Sequence, residues 1–444
     1  MSLAGVRVVD FSLYLPGPYA TRLLADLGAD VVRVEPLAGD PVRHFMPGAY
    51  EFLNRGKRAL RVNLKDPSGL ALVHELLATA DVVLEGFRPG VADRLGIGFA
   101  DASRLRSDVV YCSISGYGQT GPDRLKPGHD IGYESGGGAF ASVLAAEEAP
   151  AVPHIPVADL GSALFAALTI SAAVAGARRE PVHLDVSMQE AVTHLAIPRV
   201  AGFLLDGVAP APETLAPYAP GSGLFRTADG RWVALAAVED HFWERMCVAL
   251  GREDLTSFDT HAARMARRGE LRGAIADAVA ALSLEDLRER LEAADVPLDL
   301  VRGIAEVAAD PHLLSRGMFR PAGAGFEVDF PVRVGDARSA ATAAVPGDVG
   351  GERSVLSELG VSSEREASLR AAGALLCRGG ARAVDDEVGA VDERCLFGEQ
   401  VGAGRRDLLR RAEAAGEGAG ALGGRVEAVA LEVGAEHRGV DRAR

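Results

Sequence analysis

VRVVDFSLYLPGPYATRLLADLGADVVRVEP, residues 6–36, decides the fold class. VRVVDFS (6–12) reads as a buried strand. PGPYATRLLADLGAD follows, with prolines at its start and Gly28 near its end, the asymmetry that opens and closes a helix. VVRVEP (31–36) is a second strand. A strand–helix–strand opening favours parallel pairing through a right-handed crossover. The pattern then repeats. ALRVNL (59–64) is strand-like, DPSGLALVHELLATA is a helix with proline in its first turn, and DVVLEGF and DVVYCSISGYG are further strands. The expectation is a doubly wound α/β domain. No G-x-G-x-x-G follows a strand; the turn after the first strand is LYLPGP, so the usual dinucleotide fingerprint is missing. PGP reads equally well as a plain turn and helix start.

Further along, VHLDVSMQEAVTHLA (182–196) is a strand running into a helix, and VAPAPETLAPYAPGSG (208–223) has the Pro/Ala content of a linker. GLFRTADGRWVALAAVE reads as a hairpin with ADG at its turn, and helical patterns run from about 241 to 297. The division expected is a large domain over 1–195, a linker over 196–222 and a small α/β domain over 223–305. A return to the large domain follows over 306–360, then a C-terminal extension over 361–444. From 377 onward the chain holds thirteen glycines, thirteen alanines and one aromatic residue, Phe397. That composition suits a weakly ordered extension. With three lysines against forty-four arginines in the chain, it also suits a shifted or read-through frame from a GC-rich genome.

The bulk numbers set limits. With 444 residues, 48% apolar and 25% charged, the chain is long enough for two or three domains around buried cores. A net charge of −15 argues against a general nucleic-acid binder. Cys112, Cys247, Cys377 and Cys395 form no CxxC pair and no zinc-spaced cluster, so no metal site is expected and a reducing cytoplasm suits them. The N-terminus has no basic segment followed by a long apolar run, so no secretory leader is expected. LGSALFAALTISAAVAGA (160–177) is the longest apolar stretch. Its small residues, Ser and Thr suit a buried helix better than a membrane span.

Several stretches stand in an order more specific than any one of them. They are LPGPYATRLLADLGADVVRVE (15–35), LNRGKRAL (53–60), LEGFRPGVADRLG (84–96), SGYGQTGP (115–122), GHDIGY (128–133), VADLGS (157–162), LDVSMQEA (184–191) and DPHLLSRGMF (310–319). Together they resemble the class III CoA-transferase (CaiB/BaiF) family, and within it the α-methylacyl-CoA racemase branch. The resemblance spans roughly residues 1–350. It departs where members carry a Gly/Lys-rich TGKGQ-like loop and this chain has ARREPVH. The resemblance implies an interlocked homodimer of ring-like chains, each with a large Rossmann-like domain and a small α/β domain, and an active site at the domain interface between subunits. Acyl-CoA thioesters would be the substrates, with no cofactor besides the CoA that belongs to the substrate, and no membrane or nucleic-acid partner.

An acidic protein that holds the phosphates of CoA must place cations locally. Arg33, Lys57, Arg88 and Arg94 fall at or near strand ends, where α/β sheets bind ligands. The resemblance puts Arg33, Lys57, Phe87, Arg88, Arg94 and Lys126 on the CoA path. A racemase must also lift a proton beside a thioester carbonyl and return it on the other face, which takes two bases of complementary protonation state. The resemblance assigns these to His129 and Asp159, with Glu239 orienting or charging the histidine. Asp159 opens the Ala-rich helix, whose dipole would favour its charged form. Asp130 is expected only to cap the helix beginning at IGYESGG. The activity implied is interconversion of (R)- and (S)-2-methylacyl-CoA thioesters through an enolate. The alternative is CoA transfer between carboxylic acids, with Asp159 as nucleophile forming an anhydride and then an aspartyl–CoA thioester. The His129–Asp130 pair is the feature that favours the racemase.

Overall fold

A computed structural model describes residues 3–140, 155–176, 180–207, 219–322, 325–334, 337–338 and 348–377. Most of the linker stretch 208–223, part of the departing ARREPVH loop and the chain after 377 lie outside the described residues.

Six strands, β1 (Arg7–Asp10), β2 (Asp30–Glu35), β3 (Arg58–Arg61), β4 (Val82–Glu85), β5 (Val110–Ser115) and β6 (Val182–Ser187), form one sheet in the order β3-β2-β1-β4-β5-β6. Every pairing is parallel, with Val9 opposite Val32 and Val83, and Cys112 opposite Leu84 and Leu184. This is the doubly wound order, and its switch point lies between β1 and β4, where ligands bind outside the carboxyl ends of the strands. The strands are short apolar runs because both faces are covered. One face packs Val9, Phe11, Val83 and Tyr111 on Leu72, Leu76 and Leu77 of the helix Pro67–Leu77. The other packs Val8, Leu84, Cys112 and Ile114 on the helices Pro16–Asp26 and Val157–Ala175.

The turn LYLPGP is a helix start with a close approach built into it. Pro16 occupies the first helical turn. A Cβ on Gly17 would lie 2.1 Å from Ser12 Oγ, so only glycine lets the helix sit this close to the strand end. Val157–Ala175 is long and apolar enough to span a membrane by length and composition alone, with mean hydropathy 1.8. It is half-buried, not buried throughout. Ala158, Ala163, Ala166 and Ile170 face the sheet, while Leu164 and Leu168 are exposed.

The 196–222 stretch begins with a helix, Ile197–Asp206, not with open linker. A second sheet follows. β7 (Ser222–Arg226) and β8 (Trp232–Ala236) make the antiparallel hairpin, and β9 (Leu298–Leu300) joins the far side of β8. The helices Asp240–Ala249, Arg268–Ala280 and Leu284–Ala293 cover it around a fully buried Trp243, whose Nε1–H donates to Leu255 O at 3.1 Å.

The later chain lies against the first sheet. Arg55 forms an ion pair with Glu327 and donates to Val328 O. The helices Asp348–Glu358 and Ser363–Ala371 close the β3 side. Arg58 pairs with Glu358 at 2.6 Å and Arg365 with Glu75 at 2.7 Å, while Val355, Leu356, Leu369 and Leu375 enter the core. Residues 361–377, expected to be part of a C-terminal extension, instead pack on the first sheet, and the rest of the expected extension lies outside the described residues. Residues 363–371 are a capped helix, with Ser362 Oγ accepting from Arg365 N–H.

Candidate active site

Three loops leave the carboxyl ends of β1, β4 and β5 around the switch point. Ser12, after β1, lies in the position that a side chain on Gly86, after β4, would touch. The loop after β5 is shaped by two glycines. A Cβ on Gly116 or on Gly128 would fall 2.4–2.5 Å from the Tyr133 ring. The buried Tyr133 fills that gap, edge-on to Tyr117 with centroids 5.2 Å apart.

Tyr133 belongs to the short helix Asp130–Gly136, for which His129 is the exposed N-cap residue in extended conformation. Asp130 and Glu134 share one face of it, one turn apart. Both reach the first turn of the helix Val157–Ala175. Val157 N–H donates to Glu134 Oε1 at 2.8 Å, and Asp159 N–H donates to Asp130 Oδ1 at 3.0 Å. Asp130 therefore caps this neighbouring helix and not its own.

Asp159 is the third residue of that helix. Its carboxyl is pushed up to about 7, first by burial and then by the charges of Asp130 and Glu134. The dipole expected to favour its ionised form does not prevail, because the amides that carry the positive end are already bonded to two other carboxylates. Burial raises Glu134 as well, against the pull of the Val157 N–H, and a hydrogen bond that its protonated carboxyl donates to Asp130 adds to the rise. The result is a desolvated carboxyl whose charged neighbours are both acidic.

Arg88 lies close enough for its charge to act on Tyr133, as does that of Asp159. Lys126 is exposed, 5.1 Å over the Tyr117 ring and 3.6 Å from Asp123. Asp159, Arg88 and Lys126 thus gather around the Tyr117–Tyr133 pair, and His129 opens the helix that carries Tyr133. Phe87, beside Arg88, packs against the core. Arg94 is exposed at the end of the short helix Val91–Arg94. Glu239 is the exposed N-cap residue of the helix Asp240–Ala249 in the second sheet's domain.

Arg33 and Lys57 sit elsewhere and are turned inward. Arg33 lies within β2, not at its end, and is 1% exposed. It is paired with Asp40 and Glu35, and donates to Ser12 O at 3.1 Å. Lys57 Nζ donates to Pro18 O at 2.7 Å and Thr21 Oγ1 at 2.8 Å, with Asp10 3.7 Å away. Burial pushes Lys57 down to about 7. Arg33 ties β2 to the chain after β1, and Lys57 ties the helix Pro16–Asp26 to the end of β1.

Reading the sequence missed Tyr133 and Glu134. The spacing of Asp130 and Glu134 was the available signal. No group of three or more His, Cys, Asp or Glu that could hold a metal occurs among the described residues.

Residues 3–349 match the model of CoA-transferase family III. The chain is 32% identical over 340 residues to succinate–glutarate CoA-transferase of Agrobacterium fabrum, covering 71% of this chain and 84% of that one. It is 33% identical over 353 residues to succinyl-CoA:mesaconate CoA-transferase of Haloarcula marismortui, covering 74% and 86%. A crystal structure of a CaiB/BaiF family protein from Brucella suis superposes with a TM-score of 0.71 at 26% identity, over 80% of this chain and 99% of that chain.

Proposed function

The chain belongs to CoA-transferase family III, and from that premise we propose that it moves CoA between carboxylic acids through a covalent intermediate on Asp159. The named relatives act on succinate, glutarate and mesaconate, and dicarboxylates are the donor and acceptor class proposed here. The observation that carries the reading is the half-buried Asp159 carboxyl with acidic neighbours. An ionised carboxylate so poorly solvated is a strong nucleophile toward a thioester carbonyl.

The sequence of bonds is then fixed by the chemistry. Asp159 Oδ attacks the donor thioester carbonyl and expels the CoA thiolate, leaving a mixed anhydride. The thiolate attacks the aspartyl carbonyl and releases the donor carboxylate, which leaves CoA on Asp159 as a thioester. The acceptor carboxylate attacks that thioester and expels CoA, and CoA then takes the acyl group and frees Asp159. Arg88 and Lys126 supply positive charge beside the path.

The racemase is the second reading, and His129 is the residue that favours it: it directly precedes Asp130, which accepts from Asp159 N–H, and a histidine suits a second base. The named relatives favour the transferase. We further propose a homodimer, supported by the exposed Leu164 and Leu168, and by Leu204 and Leu205 at 70% and 84% exposure on the helix Ile197–Asp206.

Two parallel reactions test the proposal. Succinyl-CoA is given with and without glutarate or mesaconate, and a pure 2-methylacyl-CoA is incubated in D₂O. A new CoA thioester formed only with acceptor supports the transferase. Loss of the α-proton with appearance of the other epimer, in the absence of acceptor, would replace it with the racemase.

A further inference from the structure

Glu85 is the last residue of β4, 3% exposed. By strand alternation it shares a face with Val83, within the apolar cluster around Phe11, Leu72 and Tyr111. No cation forms an ion pair with it among the described residues. A carboxyl buried without a cation is costly, and burial raises Glu85 to about 7, with Asp93 and Asp185 adding in the same direction. Two donors oppose that shift: the Ser113 hydroxyl, directly across the ladder on β5, and the Phe87 backbone N–H at 2.7 Å. Ser113 Oγ lies in turn 3.0 Å from His183 Nε2 on the edge strand, and the His183 ring stacks on Phe99. The carboxyl is therefore anchored from three strands, and its free edge takes the second amide of the loop that follows, that of Phe87.

That loop, Gly86–Gly90, contains Phe87 and Arg88 and borders the switch point. We propose that Glu85 is a positioning residue for CoA binding: its carboxylate, braced by Ser113, holds the Phe87 amide and so fixes the direction in which the loop presents Phe87 and Arg88. This rests on the CoA reading of the site. Glu85 itself touches no substrate. Its side chain substitutes for the backbone partner that the Phe87 N–H loses where the strand ends.

The test uses the full chain carrying Glu85→Ala, Glu85→Gln or Ser113→Ala, with amide hydrogen exchange of the 86–90 segment and calorimetric titration with free CoA. The Gln side chain retains an acceptor for Phe87 N–H, so Glu85→Gln is expected to stay close to wild type in both. Glu85→Ala is expected to lose protection at Phe87 and to weaken CoA binding about ten- to a hundred-fold, the loss of one hydrogen bond to a charged group. Ser113→Ala, which keeps the carboxylate, is the gentler variant if Glu85→Ala fails to fold, and is expected to show a smaller loss of the same kind. Unchanged protection of the loop in Glu85→Ala or Ser113→Ala would overturn the proposal. So would lost protection with unchanged CoA affinity. A wild-type protein that bound no CoA would count against the functional reading, while the exchange pattern would still decide whether Glu85 holds the loop.

Discussion

Asp159 has to be ionised to attack a thioester, yet its surroundings favour the neutral form. Turnover is therefore expected to rise as pH increases through about 7 and to level off above it, checked by kcat/KM against pH. Replacing Glu134 by Gln keeps an acceptor for Val157 N–H and removes one negative charge, so the acidic limb should move below 7. The same residue predicts a stability effect. In the unfolded chain a carboxyl titrates near about 4, so between about pH 4 and 7 the folded state binds one more proton and stability falls as pH rises. Asp159→Asn cannot ionise. It should abolish turnover and unfold about 1–3 kcal/mol harder than wild type at pH 8, with little difference at pH 4, checked by urea denaturation at both pH values. His129 separates the two chemistries at the same scale. The transferase predicts that His129→Ala keeps turnover within about tenfold, whereas a two-base racemase would lose about 10²–10⁴-fold.

Among the elements, the helix pair Asp130–Gly136 and Val157–Ala175 carries the proposed site, and glycine decides how closely the pieces approach. Gly128→Ala would drive a methyl into the Tyr133 ring. Overpacking of this kind costs about 1–3 kcal/mol, and the loop that ends in His129 should lose activity together with stability, read by thermal melting and kcat. β1, β2, β4 and β5 were legible in the sequence as apolar runs, and helices such as Pro67–Leu77 and Met188–Leu195 by their start signals, Asp66 before Pro67 and Ser187 before Met188. β9 was not legible: three residues, LDL, hold no pattern, and only pairing with β8 makes them a strand. The helix Ile197–Asp206 was hidden for a different reason, since it follows Met188–Leu195 directly and its neighbourhood reads as linker. The tuning of Asp159 needed tertiary structure, because two of its three carboxyls come from a segment about thirty residues earlier.

Over the whole molecule, the first sheet is completed by chain that returns after the second domain. Val355, Leu356, Leu369 and Leu375 are buried against β3 and its helix, each contributing about 1.5–3 kcal/mol by area. A chain ending at residue 347 is expected to show a clearly lower urea midpoint than one ending at 377, or to fail to fold. Equal midpoints would contradict the packing described here. The family resemblance was legible as an ordered run of motifs, and membership follows from the match over residues 3–349. The chemistry was less so, because an aspartate at the start of a helix serves a base and a nucleophile equally well. The racemase expectation rested on the neighbouring histidine, and the named relatives favour the other activity.

A covalent bond between CoA and Asp159 separates the transferase from the racemase, and mass spectrometry detects it. Wild-type protein is mixed with succinyl-CoA without acceptor, quenched in acid, digested, and the Asp159 peptide is weighed. CoA or the succinyl group is expected on Asp159, absent in Asp159→Asn and discharged by added glutarate or mesaconate. An unmodified Asp159 in protein that exchanges the α-proton of a 2-methylacyl-CoA with D₂O would contradict it.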